Sequence, residues 1–458
     1  MEEPGRHSFI VMANRLPVDR REGSWEPSPG GLVSALAPVV SAHRGAWIGW
    51  AGIHDEDVEP FEFEGMSLLP VALSHDEHHQ YYEGFSNATL WPLYHDLIVA
   101  PQYHRPWWKA YYAINSRFAE AAIAVAAHGA TVWVHDYHLQ LVPDMIRAQR
   151  PDVQIGFFNH IPFPPVEQFA QLPWRDSILN GLLSADVIGF QRESDATNFQ
   201  QSCRRLLGTS GEHRQTKIGV YPISIDVDEV LRATESEAVN EVARRFRSDL
   251  GDPATLILGV DRLDYTKGIL HRLHAFEELL EDGLLDPKET CFVQIAVPSR
   301  EGIDAYQDLR DEVERLVGHI NGRFGTLDRS VVHYFHRSYS ADSTIALYLA
   351  ADVLLVTSLR DGMNLVAKEF VTARQGRAGA LVLSEFAGAA DELRQAVLVN
   401  PHDITGLKHA IHQAAIIRPE DARERIAAMA ATVGDYDVHE WARDFLDDLQ
   451  AATAPADC

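Results

Sequence analysis

The sequence predicts an α/β fold built from two doubly wound domains, each with a parallel sheet. Short apolar runs recur along the 458 residues without polar alternation, which is typical of strands buried on both faces of a parallel sheet. The segments between them, such as HRLHAFEELLEDG (271–283), have helical spacing, so the chain repeats a βαβ pattern. The chain is also too long for one compact domain.

The predicted strands form two groups of five. The first group is FIVMANR (9–15), TVWVHD (131–136), QIGFFNH (154–160), DVIGFQ (186–191) and KIGVYPI (217–223). The second group is TLILGVDR (255–262), CFVQIAVPSR (291–300), SVVHYFHR (330–337), DVLLVTSLR (352–360) and GALVLSE (379–385). A polar, acidic stretch at 224–240 separates the groups. We therefore predict one domain over residues 1–225 and a second over 226–435.

The remaining tail, residues 436–458, contains an amphipathic pattern. Within YDVHEWARDFLDDLQ, the apolar residues Trp441, Phe445 and Leu449 fall four positions apart, on one side of a helix. This predicts a C-terminal helix that packs back onto a domain, for which we expect the first.

The composition excludes several classes of partner. Lys and Arg total 40 and Asp and Glu total 66, so the net charge is −26, which argues against a nucleic-acid backbone as partner. The three cysteines show neither a disulfide framework nor a zinc pattern. The acidic N-terminus lacks the form of a signal peptide, and no stretch predicts a membrane span. We expect a cytoplasmic protein with no nucleic-acid or membrane partner.

Polar residues collect where the predicted strands end. Ligands of open α/β sheets bind at the carboxyl ends of the strands, so these residues are the site candidates. They are Asn14 and Arg15, His135 to His138, His160, Asp261 to Gly268, Pro298 to Arg300 and Arg360 to Gly362. Two domains that face each other with these edges would form a polar cleft.

The turn LRDGMNLVAKEF (359–370) is the most informative of these ends. Asp361, Gly362 and Asn364 suit a tight turn and a capped helix, and an acid such as Glu369 is favoured near a helix N-terminus. A capped helix explains the turn without any function. An anion bound at the positive end of the helix is the alternative.

Four cations could hold anions. Arg262 and Lys267, five residues apart around a turn that ends in Gly, could clamp a diphosphate, or could be a pair of surface cations. Arg15 and Arg300 could hold a second anion in the same way.

Other motifs are weaker. Gly30 and Gly31 open a predicted helix whose free N–H groups attract anions, although most such pairs are only turns. The histidines at 75, 78 and 79 suit a solvated helix better than a metal site, and HDYH (135–138) does not predict zinc. The sequence contains no nucleophile-elbow, P-loop or dinucleotide-binding motif, which argues against a hydrolase, a P-loop protein and a dinucleotide-binding protein.

Taken together and in order, the motifs resemble the signature blocks of the trehalose-6-phosphate synthases, retaining glycosyltransferase family 20, which has the GT-B fold. The blocks are ANR, SPGGL, YYEGFSNATLWPLYH, HDYHL, GFFNHIPFP, VDRLDYTKG, PSRE, INGRFG, LRDGMNLVAKEF and VLSEFAGAA. The resemblance implies two Rossmann-like domains facing across a cleft, with the acceptor bound by the first domain and the nucleotide-sugar donor by the second.

The resemblance also implies the reaction. Glucose would pass from UDP-glucose or GDP-glucose to C1 of glucose 6-phosphate with retention, giving α,α-trehalose 6-phosphate and a nucleoside diphosphate. No metal or other cofactor is expected, and we expect a homo-oligomer, a dimer or a tetramer. The family's route is front-face attack, in which the departing phosphate oxygen acts as base. Cations and helix N–H groups would stabilise the charge that develops on the leaving group.

Residue roles follow only where this sequence matches the family. The donor site would consist of Gly30, Gly31, His160, Arg262, Lys267, Tyr339, Asp361, Gly362, Met363, Asn364, Leu365, Val366 and Glu369. The acceptor site would consist of Arg15, Tyr82, Trp91, Asp136 and Arg300, with the two arginines on the 6-phosphate. The catalytic residues would be His160, Arg262, Lys267 and Asp361. Glu369 would take the ribose hydroxyls.

Three positions depart from the family pattern, namely Asn159, Ser358 and Tyr339, and none of them removes a charged site residue. Tyr339 falls where some relatives place an aromatic residue beside the nucleotide base, so it leaves recognition of the base open. Three alternative functions also stay open. They are a sibling transferase with another phosphorylated acceptor, a catalytically silent paralogue that binds sugar phosphates, and a nucleotide-sugar epimerase.

Overall fold

The computed structural model describes residues 6–21, 23–28, 31–208 and 216–453. The strands are β1 (His7–Arg15), β2 (Val18–Arg21), β3 (Ser24–Pro27), β4 (Ala46–Trp50), β5 (Phe61–Phe63), β6 (Met66–Pro70), β7 (Ala126–His135), β8 (Gln154–Phe158), β9 (Val187–Phe190), β10 (Lys217–Val220), β11 (Thr255–Arg262), β12 (Thr290–Val297), β13 (Val332–Phe335), β14 (Val353–Val356), β15 (Ala380–Ser384) and β16 (Val397–Val399). The ten predicted strands are confirmed as β1 and β7 to β15.

The α-helices alternate with the strands along most of the chain. They are α1 (Gly31–Ala42), α2 (His75–His78), α3 (Trp91–Tyr94), α4 (Arg105–Val125), α5 (Val142–Arg147), α6 (Val166–Phe169), α7 (Arg175–Leu183), α8 (Glu193–Ser202), α9 (Val227–Glu235), α10 (Glu237–Asp249), α11 (Ile269–Glu281), α12 (Asp304–Phe324), α13 (Ala341–Ala350), α14 (Leu365–Ala373), α15 (Ile404–Ala415), α16 (Pro419–Asp435) and α17 (Val438–Thr453). A π-helical segment, His79–Leu90, continues α2. No helix among the described residues has both the length and the apolar composition that a membrane crossing needs.

The described chain divides into two compact units. Unit 1 contains the residues up to Ile223 and those from His439 onward, and unit 2 is the continuous segment Ser224–Val438. The first division lies two residues before the predicted boundary at 225. The chain therefore leaves unit 1, builds the whole of unit 2 and returns to unit 1 for its last helix.

The unit 1 sheet has the order β10-β9-β8-β7-β1-β4-β6-β5, and β5 alone runs antiparallel to its neighbour. Strand β1 is central, and its residues Ile10, Val11 and Met12 are fully buried. The chain order reverses between β1 and β7, which are parallel neighbours in register at Ile10 and Val132. This reversal is where an open α/β sheet offers a ligand crevice.

Helix α17 covers one face of the unit 1 sheet. The ring of Trp441 lies 5.2 Å from that of Trp133, and Phe445 stacks on the same indole at 4.8 Å. The helix can approach closely because β8 and β9 carry glycines below it. A Cβ at Gly156 or Gly189 would lie 2.6 or 2.9 Å from the Phe445 ring. The C-terminal helix thus belongs to the core of unit 1.

The unit 2 sheet is parallel throughout, with the order β13-β12-β11-β14-β15-β16. Counted within the unit this is 3-2-1-4-5-6, the Rossmann order, with its switch point between β11 and β14. Apolar faces of α11, α12 and α15 contribute to the core beside this sheet, which includes Phe276, Val313 and Ile411. Each of the two units therefore has one switch point at which to look for a ligand.

Candidate functional site

Two charged residues meet at the switch point of unit 2. Lys267 follows β11 and Asp361 follows β14, and these strands are neighbours in the sheet. The Lys267 Nζ lies 2.6 Å from Asp361 Oδ2, and the two side chains are only 12% and 16% exposed. The two strand ends that the sequence singled out separately thus come together as one ion pair.

Asp361 also organises the turn that leads into α14. Its Oδ2 accepts hydrogen bonds from Ser358 Oγ at 3.0 Å and Asn364 Nδ2 at 3.1 Å. The Asn364 side chain in turn accepts from the N–H of Ala367 at 3.1 Å, which caps the helix. The capped helix predicted from LRDGMNLVAKEF is confirmed, with its first helical residue at Leu365. Because the cap residue Asn364 donates to Asp361, the N-terminus of α14 begins next to the Lys267–Asp361 pair.

The loop that carries Lys267 is held from below by a buried arginine. Arg272 is fully buried and donates to the Lys267 carbonyl at 2.7 Å, to Asp261 Oδ2 at 2.7 Å and to Thr357 Oγ1 at 2.8 Å. Gly268 adopts φ +63°, and a Cβ there would lie 2.2 Å from the Thr357 carbonyl oxygen. Sequence reasoning missed Arg272. Its position on the apolar face of α11, among Ile269, Leu273 and Phe276, was the available signal.

Asp264 lies between the two other predicted anion-binding cations of unit 2, Arg262 and Arg300. Its fully buried carboxylate accepts from Arg300 Nη1 at 2.8 Å, and Arg262 Nη2 lies 3.7 Å away. Burial opposes the ionisation of this acid, but Arg300, Arg262 and Lys267 together lower its pKa to about 2. The carboxylate therefore stays charged and restrains two of the four predicted anion-binding cations.

The position of Arg300 bears on the predicted acceptor site. Its side chain is 2% exposed, and Nη1 also contacts the Tyr306 hydroxyl at 2.5 Å. The structure places Arg300 in unit 2 with Arg262, whereas Arg15 belongs to unit 1. Joint binding of one phosphate by Arg15 and Arg300 stays a prediction, and it would require Arg300 to share its guanidinium with Asp264.

Two further predicted donor residues lie on the same unit. Glu369, on α14, accepts a hydrogen bond from Tyr348 at 2.8 Å. Burial raises the pKa of Glu369 to about 7. The hydrogen bond from Tyr348 lowers this pKa, and the negative charge of Glu229 raises it, but burial has the largest effect. Tyr339 is half-buried, and its hydroxyl accepts from Arg337 at 3.0 Å.

The backbone around Gly362 and Met363 is packed tightly. A Cβ at Gly388 would lie 2.0 Å from the Gly362 carbonyl oxygen, so only glycine fits opposite this turn. Met363 is 5% exposed, whereas Leu365 and Val366 are half-buried at the start of α14. Gly31 begins α1 in unit 1, and Gly30 lies outside the described residues.

In unit 1, Arg15 ends β1 on an aromatic platform. Its guanidinium carbon lies 4.9 Å from the centre of the Trp50 ring, and its Nη2 lies 2.6 Å from Asp19. A Cβ at Gly52 would lie 2.4 Å from the same nitrogen. The side chain is 42% exposed, so it can still reach an anion. Sequence reasoning missed Trp50 and the whole of β4 beneath it.

Asp136 and His160 meet at the carboxyl ends of the neighbouring strands β7 and β8, next to the switch point of unit 1. Asp136 follows β7 with φ +74°, and its Oδ1 accepts from the backbone N–H of His160 at 3.2 Å. The His160 Nε2 lies 3.0 Å from His135 Nδ1. Burial lowers the pKa of His160 to about 3, so its imidazole is neutral at physiological pH.

Tyr82 and Trp91 differ in their access to a ligand. Tyr82 is half-buried on the π-helical segment, and its ring stacks on His78 at 4.9 Å. Trp91 is 4% exposed and stacks on His95 at 4.0 Å, so it offers little surface to a ligand.

The prediction that the histidines at 75, 78 and 79 lie on a solvated helix is wrong for His78. Its ring packs against Trp50 at 4.7 Å, and burial lowers its pKa to about 4. The described residues contain no group of three or more His, Cys, Asp or Glu arranged to hold a metal ion.

Comparison with known proteins identifies the family. The model of glycosyltransferase family 20 matches residues 7–451. The chain belongs to glycosyltransferase family 20. It is 54% identical to a trehalose-6-phosphate synthase of Mycobacterium sp. (strain KMS), over 99% of this chain and 97% of the relative. It is 53% identical to that of Mycolicibacterium smegmatis, over 99% and 94%.

Solved structures of family 20 have the same fold. A UDP-forming α,α-trehalose-phosphate synthase of Burkholderia xenovorans, in complex with glucose-6-phosphate, superimposes with a TM-score of 0.89 at 34% identity, over 96% of this chain and 100% of that one. An E. coli structure bound with UDP-2-fluoro glucose gives 0.88 at 32% identity, over 98% and 99%. The predicted family and the predicted α/β fold class are confirmed. The site residues, the absence of a cofactor and the oligomeric state stay predictions.

Proposed function

We propose that this glycosyltransferase moves glucose from UDP-glucose or GDP-glucose to the C1 hydroxyl of glucose 6-phosphate, with retention. The products are α,α-trehalose 6-phosphate and the nucleoside diphosphate. The observation that carries the proposal is the Lys267–Asp361 pair at the switch point of unit 2, beside the capped N-terminus of α14. A lysine and a helix N-terminus at one sheet edge suit a diphosphate.

The donor diphosphate interacts with Lys267, Arg262 and the first N–H groups of α14. The C1–O bond to the diphosphate breaks in the reaction, and negative charge grows on the leaving oxygen. Groups already held in place stabilise that charge without reorganising, and Arg272 holds the Lys267 loop for this purpose. Asp361, fixed by Ser358 and Asn364, sets the distance of Lys267 from the sugar.

Retention follows from attack on the face that the diphosphate leaves. The acceptor oxygen forms its bond to the donor C1, and its proton passes to the departing phosphate oxygen. This route needs no protein nucleophile. It needs a site that excludes water and holds both substrates in position, because water in place of the acceptor would hydrolyse the donor.

The acceptor is held by unit 1. Arg15 binds the 6-phosphate, the Asp136 carboxylate accepts hydrogen bonds from sugar hydroxyls, and Tyr82 lies against the ring. Trp91 supports this surface from below. Relatives bound with glucose-6-phosphate and with UDP-2-fluoro glucose support the assignment of the two substrates.

A donor and acceptor panel tests the proposal. Purified protein is incubated in EDTA with UDP-, GDP- or ADP-glucose, together with glucose 6-phosphate or glycerol 3-phosphate. The product is identified by mass and by trehalase digestion after dephosphorylation. A trehalase-sensitive disaccharide from glucose 6-phosphate is expected. Product only from glycerol 3-phosphate would identify a sibling transferase, and donor binding without product would identify a silent paralogue.

The donor KM should depend on pH through Glu369. The pKa of this acid is about 7, so its carboxylate, which accepts from the ribose hydroxyls, is lost as the pH falls. We expect the KM for the nucleotide-glucose to rise about 10-fold from pH 8 to pH 6. Glu369→Gln, which cannot titrate, should remove this dependence. A wild-type KM that is flat over this range would exclude Glu369 from the ribose.

A further inference from the structure

The π-helical segment of unit 1, His79–Leu90, is bonded to the ends of both strands at the switch point. The Tyr81 hydroxyl donates to Asn14 Oδ1, one residue before the end of β1, at 3.0 Å. The hydroxyl of Tyr137, two residues after the end of β7, donates to Asn87 Oδ1 at 2.8 Å. π-Helices are rare and occur frequently at functional sites, so a segment of twelve residues calls for a functional explanation.

Asn87 connects this segment to the end of β7 through both atoms of its amide. Its Nδ2 donates to the backbone carbonyl of Tyr82 at 2.8 Å, and the i→i+5 spacing of a π-helix brings these two residues together. A carbonyl oxygen only accepts, so the amide nitrogen faces Tyr82 and the amide oxygen faces the Tyr137 hydroxyl. Asn87 and Tyr137 are each 1% exposed, so water competes little with either bond.

Asp136, the neighbour of Tyr137, has a strained backbone. It adopts φ +74° and ψ 168°, a conformation that residues other than glycine rarely adopt and that persists only where the surrounding structure holds it. Tyr137 is fixed on two sides, because its hydroxyl donates to Asn87 and its carbonyl accepts from the Tyr111 hydroxyl at 2.7 Å. The bond to Asn87 is therefore one of the contacts that keep the strained turn in place.

We propose that Asn87 is a positioning residue for the acceptor. It holds the segment that carries Tyr82 against the turn that carries Asp136, and so sets the distance between the ring and the carboxylate that contact the acceptor sugar. The inference rests on the proposed function for the identity of this ligand. Without the bond from Tyr137, the turn at Asp136 relaxes and the distance is no longer fixed. Displacements of about 1 Å in a site can cost about 100-fold in rate.

Tyr137→Phe tests the proposal because it removes only the hydroxyl that donates to Asn87. We expect the KM for glucose 6-phosphate to rise about 10-fold, and the KM for the nucleotide-glucose to stay within about twofold. Steady-state kinetics, with each substrate varied while the other saturates, measures both constants. If the panel above identifies another acceptor, the KM for that acceptor takes the place of the first.

Tyr94→Phe is the matched control. Tyr94 is fully buried in the same unit, and its hydroxyl also donates to a side-chain amide oxygen, Gln140 Oε1, at 3.0 Å. Both variants lose the same kind of bond, so their Tm should fall by similar amounts, but Tyr94→Phe should leave the KM for the acceptor unchanged. The double variant Asn87→Ala/Tyr137→Phe should raise this KM no further than Asn87→Ala alone, because both changes break one connection.

Hydrogen–deuterium exchange of the free protein separates this inference from the proposed function. In Tyr137→Phe, the amides of residues 79–90 and 136–139 should exchange about 10-fold faster or more, because the bond that joins these segments is lost. This readout needs no substrate, so the result is expected even if the panel above shows that the proposed acceptor is wrong.

Three outcomes would overturn the proposal. Unchanged exchange in Tyr137→Phe would show that the bond does not hold the two segments together. Faster exchange with an unchanged KM for the acceptor would show that the bond serves stability alone. An equal rise in the KM for both substrates would show a general disturbance of the fold. If Asn87→Ala does not fold, Tyr137→Phe, which keeps the buried ring, decides the question.

Discussion

Lys267→Ala should lower kcat by about 100-fold or more with either nucleotide donor. The ammonium group lies at the carboxyl end of β11 and is 12% exposed, so its charge acts on the leaving diphosphate with little screening by water. Its removal also takes away the cation that lies 2.6 Å from the Asp361 carboxylate, so the repulsion between this carboxylate and the diphosphate increases. The measurement is steady-state kinetics with UDP- and GDP-glucose at saturating glucose 6-phosphate.

The control for this variant is Lys288→Ala. Lys288 is exposed in the same unit, in the segment before β12 and so at the opposite edge of the sheet. Its replacement removes the same charge and should leave kcat within about twofold. An unchanged kcat in Lys267→Ala would remove this residue from the stabilisation of the leaving group.

Arg300→Ala should have two separable effects. The side chain is 2% exposed and is the nearest of the cations around the fully buried Asp264, with Arg262 at 3.7 Å as the next. Its loss should lower the free energy of unfolding by about 3 kcal/mol, the low end for a broken buried pair, because Arg262 still faces the carboxylate. If Arg300 also reaches the acceptor phosphate, the KM for glucose 6-phosphate should rise far more than that for the nucleotide-glucose. Urea denaturation and steady-state kinetics measure the two effects.

Arg310→Ala is the control for Arg300→Ala, because it breaks an exposed ion pair instead of a buried one. Arg310 pairs with Glu314 on α12, and both side chains are nearly half exposed, so a much smaller loss of stability is expected than in Arg300→Ala. A larger rise in the KM for the nucleotide-glucose in Arg300→Ala would assign Arg300 to the donor site. An unchanged urea midpoint would show that Asp264 does not depend on Arg300.

The sequence predicts the strands that are long, apolar and buried on both faces. Strands such as β11 and β12 are eight residues long and apolar, so their runs cannot be mistaken for a solvated face. Strand β4 was missed because AWIGW is short and contains a glycine, although every one of its residues is buried. Strand β16, with three residues, and the β2–β3 hairpin carry even less signal.

The site was predictable wherever a residue type alone suggests chemistry. Lys267 and Asp361 stood out as charges at strand ends, and the sheet order brings them together. Arg272 was missed and Asp264 was only one of the strand-end candidates, because their supporting roles depend on which backbone groups and charges lie beside them in three dimensions. Periodicity reports that a face is buried. It does not report what a polar residue on that face will meet.

The return of the chain to unit 1 sets the order in which the protein can be completed during its synthesis. Unit 2 is continuous, so a nascent chain can finish it once Val438 has left the ribosome. Unit 1 begins first and finishes last, because its sheet waits for Trp441 and Phe445 to cover Trp133. Until then an aromatic face of the N-terminal sheet is open to other chains and to chaperones. A chain cut between Val438 and Trp441 would keep a complete unit 2, joined to a unit 1 whose sheet lacks the cover of α17.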